Sequence, residues 1–459
     1  MGHSQKLAQP RASWGIAALA AVMSVVVLGA SPATGRGPEK DQFSYIRVEE
    51  EQGGAIVKLQ TAVREFHPGK DAGPSLQGRK LFLVGAVHIG DKGFYQALQD
   101  SLDTKDLVLY EGVRPPGAGR LQYESGRLTD ADRAAITKKR LRFLMIGAEL
   151  AKRKNAPTPA TVAELDKAVG DRLGRFIEDC GVDAWDRPIE VVPPTPDHGR
   201  IEFVSLGADG RTGGEGVDAD LRSTDLDPLG PDEVPTGKEQ GIQSKLAHAL
   251  GLSFQLDVMK HGKPNWRSSD LSIDQIEARM GGGDGKGEPS ALFEMLSGSS
   301  FSAKVAGVLL DLVSMSKTIS TVVKVAMIDM LSQADDLLGA AGKNADSGPM
   351  AEMAQLMDII IKDRNAVVAA DLRHALENEP EVRNIAIIYG AGHMNELEGR
   401  IRELGFEPVN EYWFTAIRCD VRQSGMSVKE ISDMRRQIKS AIQDAMNQPS
   451  RTDKRRRGD

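Results

Sequence analysis

Two apolar runs of strand length that end in the same pattern constrain this chain most. Residues 80–90 close on Gly85-Ala86-Val87-His88, and residues 384–394 close on Gly390-Ala391-Gly392-His393. Each run leads into a helical pattern, Phe94, Ala97, Leu98 and Leu102 in one, Leu397, Ile401 and Leu404 in the other. A further strand candidate follows each, Leu107–Tyr110 and Tyr412–Ile417. The spacing predicts an α/β protein whose parallel or mostly parallel central sheet is built from two similar βαβ units, with a large inserted helical region between them. Gly85, Gly390 and Gly392 serve the strand-to-helix turns. Ligands of such sheets sit beyond the carboxyl ends of the strands, so His88 and His393 are expected on one rim.

Glu111 ends the Leu107–Tyr110 strand, which is expected to lie beside the strand ending in His88. Arg364 and Asn365 fall in mid-helix of a pattern from Ala351 to Leu376. If that helix reaches the rim, the guanidinium can hold a substrate carboxylate or orient Glu111. Asp270 is a further substrate-binding candidate, although a lone carboxylate before Ile273 reads first as a helix cap.

The remaining segments bound the organisation. Residues 1–35 carry Lys6 and Arg11 before an apolar stretch at 14–30 and then Ser31-Pro32-Ala33, the pattern of a signal peptide, with a membrane anchor as the alternative. An exported protein follows: periplasmic, secreted or anchored. Residues 42–120 form the first half of the α/β domain, opening with a hairpin at 45–66 that turns at Gly53-Gly54. Residues 121–350 are the inserted helical region, 351–420 the second half, and 421–459 a C-terminal helix and basic tail. Within the insertion, 193–240 reads as loop-rich and its aspartates as solvated charge, 281–285 as a flexible glycine connector, and 291–338 as a buried or lid-like helical layer. The net charge of −7 argues against a nucleic-acid partner, and two cysteines, Cys180 and Cys419, make no disulfide framework.

Two imidazoles and a carboxylate give an open three-ligand arrangement for a divalent metal, with His88, Glu111 and His393 as ligands and manganese, cobalt or zinc as candidates. The ion would lower the pKa of a bound water, with Glu111 as ligand or general base. A metal-free site would use one histidine as base and the other with Glu111 as electrostatic partners. A binding protein holding a peptide, metal or haem on the same rim is the non-catalytic alternative.

In order and context, Gly85–His88, Tyr110-Glu111-Gly112, Arg364-Asn365 and Gly390–His393 resemble the TraB/PrgY/GumN family that includes the TIKI proteins. The resemblance implies a fold related to the EreA and ChaN-like group. It also implies a metal-dependent protease, using manganese or cobalt and acting on a peptide or protein, with the two Gly-x-x-His motifs and Glu111 as its signature residues; Glu111 and Arg364 are the catalytic candidates.

Overall fold

The computed structural model describes residues 44–124, 126–170, 173–194, 199–230, 233–234, 242–279, 316–333 and 359–447. The expected leader at 1–35, the glycine connector at 281–285, residues 351–358 and the basic tail from 448 lie outside the described residues.

A seven-stranded sheet organises the fold. Its strands are β1 (Ile46–Glu51), β2 (Ile56–Pro68), β3 (Lys80–Ala86), β4 (Leu107–Tyr110), β5 (Trp266–Ser268), β6 (Asn384–Gly390) and β7 (Phe406–Asp420). The order is β1-β2-β3-β6-β4-β5, with β7 on the other flank of β2. β3, β6, β4 and β5 pair in parallel, and only β2 runs against the rest. The sheet is therefore mixed but mostly of one direction. Leu81, Leu83, Val84, Leu107, Val108, Leu109, Ile385, Ile387 and Ile388 are all buried, as continuous apolar strands covered on both faces must be.

The turn between β1 and β2 holds Gly53 at φ 66 and Gly54 at φ 88, a left-handed backbone that glycine adopts without strain. Asp106 fixes the register of β6 by accepting from the backbone N–H groups of Arg383 and Asn384, at 2.9 and 2.7 Å. Helix α1 (Lys92–Leu102) follows β3 and buries Phe94, Tyr95, Leu98 and Leu102 on its sheet-facing stripe. After β6, helix α2 (Met394–Glu403) does the same with Met394, Leu397 and Ile401.

Strand order departs from the expected arrangement of two self-contained units. β6 lies between β3 and β4, and both β3 and β2 separate β6 from β7. Neither strand–helix–strand segment therefore pairs its own two strands.

The inserted region builds a second, smaller core. A helix at Asp130–Arg153 starts in a capping box between Thr129 and Asp132 and packs on helices Val162–Val169 and Gly174–Asp179. A three-stranded antiparallel sheet, Glu190–Val192, Glu202–Ser205 and Leu221–Arg222, closes it. Leu141, Leu144, Leu165, Ile177, Cys180 and Phe203 are fully buried there. The strand expected at Ile201–Leu206 is present as Glu202–Ser205, and Leu221–Arg222 of the segment expected to be loop-rich pairs with it. In the layer expected at 291–338, residues 316–333 are described. They contain a helix, Lys317–Leu331, that buries Val323, Val325, Met327 and Ile328 in the main core.

Candidate functional site

Four neighbouring parallel strands each present one charged or titratable group just past their carboxyl ends. His88 lies two residues beyond β3, His393 three beyond β6, Glu111 directly after β4, and Asp270 two beyond β5. Because β6 separates β3 from β4, Glu111 stands beside the strand of His393 and not, as expected, beside that of His88. Helix α3 (Arg364–Asn378), continuous with a π-helical turn at Ile359–Asp363, brings Arg364 to the same rim. Arg364 and Asn365 thus sit inside a continuous helical run, as expected.

Arg364 is buried among its partners. Its Nε and one Nη donate to the two oxygens of Asp270, each at 2.8 Å, and the same Nη donates to Glu111 Oε1 at 2.7 Å. Asp270 is 1 % exposed and also accepts from the backbone N–H groups of Gly112 and Leu271. It makes no cap; it anchors the guanidinium. The other oxygen of Glu111 accepts from the Gly390 N–H at 2.6 Å. Burial alone would push the Glu111 carboxyl up, but Arg364, with the nearby His393 and His88 imidazoles, holds it well below the usual range. Glu111 is therefore a carboxylate at neutral pH.

His393 is buried in the turn between β6 and α2. Its Nδ1 lies 2.7 Å from Asn365 Oδ1, an acceptor, so Nδ1 carries the proton and Nε2 the lone pair. Burial lowers its pKa to about 3, with Arg364 and His88 adding to that effect against the pull of Glu111, so the ring is neutral near pH 7. Nε2 faces Glu111 Oε1 across 3.8 Å, beyond hydrogen-bond reach. Tyr389 packs edge-on to the imidazole with ring centroids 5.1 Å apart, and its hydroxyl donates to the Ser269 carbonyl. Sequence reasoning missed Tyr389, although it stands directly before Gly390 in the motif.

His88 is half-buried and acts electrostatically on both Glu111 and His393. Its carbonyl accepts from the Gln255 N–H at 2.8 Å. Gly85 packs closely: a Cβ there would meet the Ala62 carbonyl oxygen at 3.2 Å. Among the described residues, no group of three or more His, Cys, Asp or Glu side chains is placed to hold a metal ion. Of the three expected ligands, His393 Nε2 and Glu111 Oε1 face each other across 3.8 Å, and His88 lies close enough to act electrostatically on both. The two cysteines are free and buried.

No curated protein and no solved structure matches this chain. Residues 158–224 match the family model of type II secretion system (T2SS), protein G, over a segment that falls within the smaller core. The matching family is therefore not TraB/PrgY/GumN, and the resemblance to that family is overturned, together with the metalloprotease and hydrolase reading it carried. The relation to the EreA and ChaN-like group rested on that resemblance alone. The match links part of the chain to a protein of a secretion machinery, and among the described residues no helix is long and apolar enough to cross a membrane.

Proposed function

We propose that the rim is a general-base site in an exported protein, with His393 Nε2 accepting a proton from a bound water or substrate hydroxyl. One observation carries this: a neutral imidazole fixed at Nδ1 by Asn365 turns an uncommitted Nε2 toward the Glu111 carboxylate 3.8 Å away. A base whose other nitrogen is hydrogen-bonded to an acceptor is held in one tautomer and one orientation. Glu111, kept ionised by Arg364, stabilises the imidazolium that forms once the proton moves. Arg364 is neutralised in turn by Asp270, so the pair of carboxylates and the guanidinium leave the site with one net negative charge. Export is supported by the leader pattern at 1–35 and by the secretion-system likeness of residues 158–224.

The 3.8 Å gap between two facing donors favours a second reading, a divalent ion held by His393 and Glu111. Donors of one ion each lie about 2 Å from it, which that separation accommodates. Manganese, cobalt or zinc bound there would act as a Lewis acid on a bound water.

Purified protein incubated with pooled small molecules and a peptide library, followed by mass spectrometry, tests the first reading without presupposing a substrate. A compound consumed by the wild type and spared by both His393→Ala and Glu111→Gln supports it. Consumption that persists in both variants overturns it. Titration calorimetry with each ion tests the second reading, which requires one-to-one binding lost in the same two variants.

A further inference from the structure

A buried asparagine amide has two nearly isosteric orientations, and at Asn365 the choice decides which nitrogen of His393 carries the proton. In the orientation present, the Nδ2 amine donates to Glu396 Oε2 at 2.7 Å and to the His393 carbonyl at 3.1 Å, leaving Oδ1 to accept from His393 Nδ1. Reversed, Oδ1 would face two acceptors and the amine would face Nδ1. The ring proton would then move to Nε2, where Glu111 Oε1 waits.

Two carboxylates therefore compete for the tautomer. Glu111 favours a proton on Nε2 directly, across 3.8 Å. Glu396 favours a proton on Nδ1 through Asn365, along two contacts of 2.7 Å. Hydrogen bonds to a charged acceptor are the stronger kind, and only the second route consists of hydrogen bonds. Glu396 is held in turn by Arg400, whose Nε donates to Oε1 at 2.6 Å while an Nη donates to the Lys362 carbonyl at 3.2 Å.

We propose that Glu396 is a positioning residue that, by holding the Asn365 amide in one orientation, keeps the Nε2 lone pair of His393 turned toward Glu111. Its use to the protein rests on the general-base reading, but the tautomer can be measured without any substrate. Glu396 is a residue of α2 that binds Asn365, one step removed from the imidazole.

The test is long-range ¹H–¹⁵N correlation of the histidine side chains at neutral pH, with His393 assigned among the eight histidines by loss of its signals in His393→Gln. Wild-type protein should show the Nδ1–H pattern at His393. In Glu396→Ala the ratio of Nε2–H to Nδ1–H should rise by about tenfold or more, the loss expected for one charge-assisted hydrogen bond. Glu396→Gln, whose carbonyl can still accept from Asn365, should shift the ratio the same way by less. An unchanged ratio in either folded variant overturns the inference and leaves the general-base reading standing. A failed substrate screen with the expected tautomer shift does the reverse.

Discussion

The sheet rim and the smaller core solve the problem of buried polar groups in opposite ways. At the rim, Arg364 meets partners 94 and 253 residues away and Gly390 reaches back 279 residues to Glu111. In the smaller core the ties are of shorter reach, spanning at most 43 residues among those named here. Asp183 accepts from the N–H groups of Trp185 and Arg187 and from the Ser205 hydroxyl, and Arg140 donates to carbonyls at Gly117, Gly119, Val182 and Asp183. Arg187 reaches the carbonyls of Gly207 and Ala208. Ties within one inserted segment satisfy the small core, whereas charge pairs between distant parts of the chain make the rim depend on the completed sheet. The buried Arg114 joins the two, donating to the Ala118 carbonyl and Asp179 on one side and pairing its backbone with Leu271 and Ile273 on the other.

The sharpest way to break this contrast is Arg364→Leu. It strands the Glu111 and Asp270 carboxylates in a buried site, which is expected to cost about 3–5 kcal/mol in urea unfolding. Hydrogen exchange should rise across β3, β6 and β4; faster exchange confined to residues 118–226 would refute the assignment. Leu165→Ala, in the centre of the smaller core, is expected to cost about 3 kcal/mol, with exchange rising among residues 118–226 and the main sheet kept. Ser205→Ala removes one hydroxyl from buried Asp183 and should cost about 1 kcal/mol, read from the same urea curves.

A last expected effect concerns pH, at a carboxylate of the main sheet. Burial raises Glu65 on β2, but hydrogen bonds from Asn410 and His67 and the charge of Lys80 outweigh it, bringing the carboxyl down to about 2. A carboxylate whose folded pKa is depressed adds stability above its unfolded value, near 4.5, and loses it as pH falls toward 2. Wild-type protein should lose stability across that interval more steeply than Glu65→Gln. Parallel curves would show that the carboxylate plays no part in acid sensitivity.

What the sequence shows of this fold, and what it hides, follows the same division. The strands ending in His88, His393 and Glu111 are legible because burial on both faces demands unbroken apolar runs, and the turn at Gly53-Gly54 because positive φ demands glycine. The order of those strands is not legible, since nothing local says that β6 enters between β3 and β4. Asp270 resembles a helix cap because its partner lies on a helix 94 residues later, where no short-range pattern can show it. Arg364 is legible as a mid-helix residue because the apolar periodicity continues upstream of it, where a π-helical turn, Ile359–Asp363, runs directly into helix α3. In the smaller core, Asp183 and Ser205 carry no motif, and their bond joins a loop to the end of a strand 22 residues later.

That the rim groups work as one unit is tested most directly by a double-mutant cycle between Arg364→Leu and Glu111→Leu, measured by urea unfolding. If the guanidinium and the carboxylate hold each other in place, the double variant should be less destabilised than the sum of the singles by about 1–3 kcal/mol. Additivity within about 0.5 kcal/mol would mean that the two groups do not depend on each other, and would contradict a shared site at the strand ends.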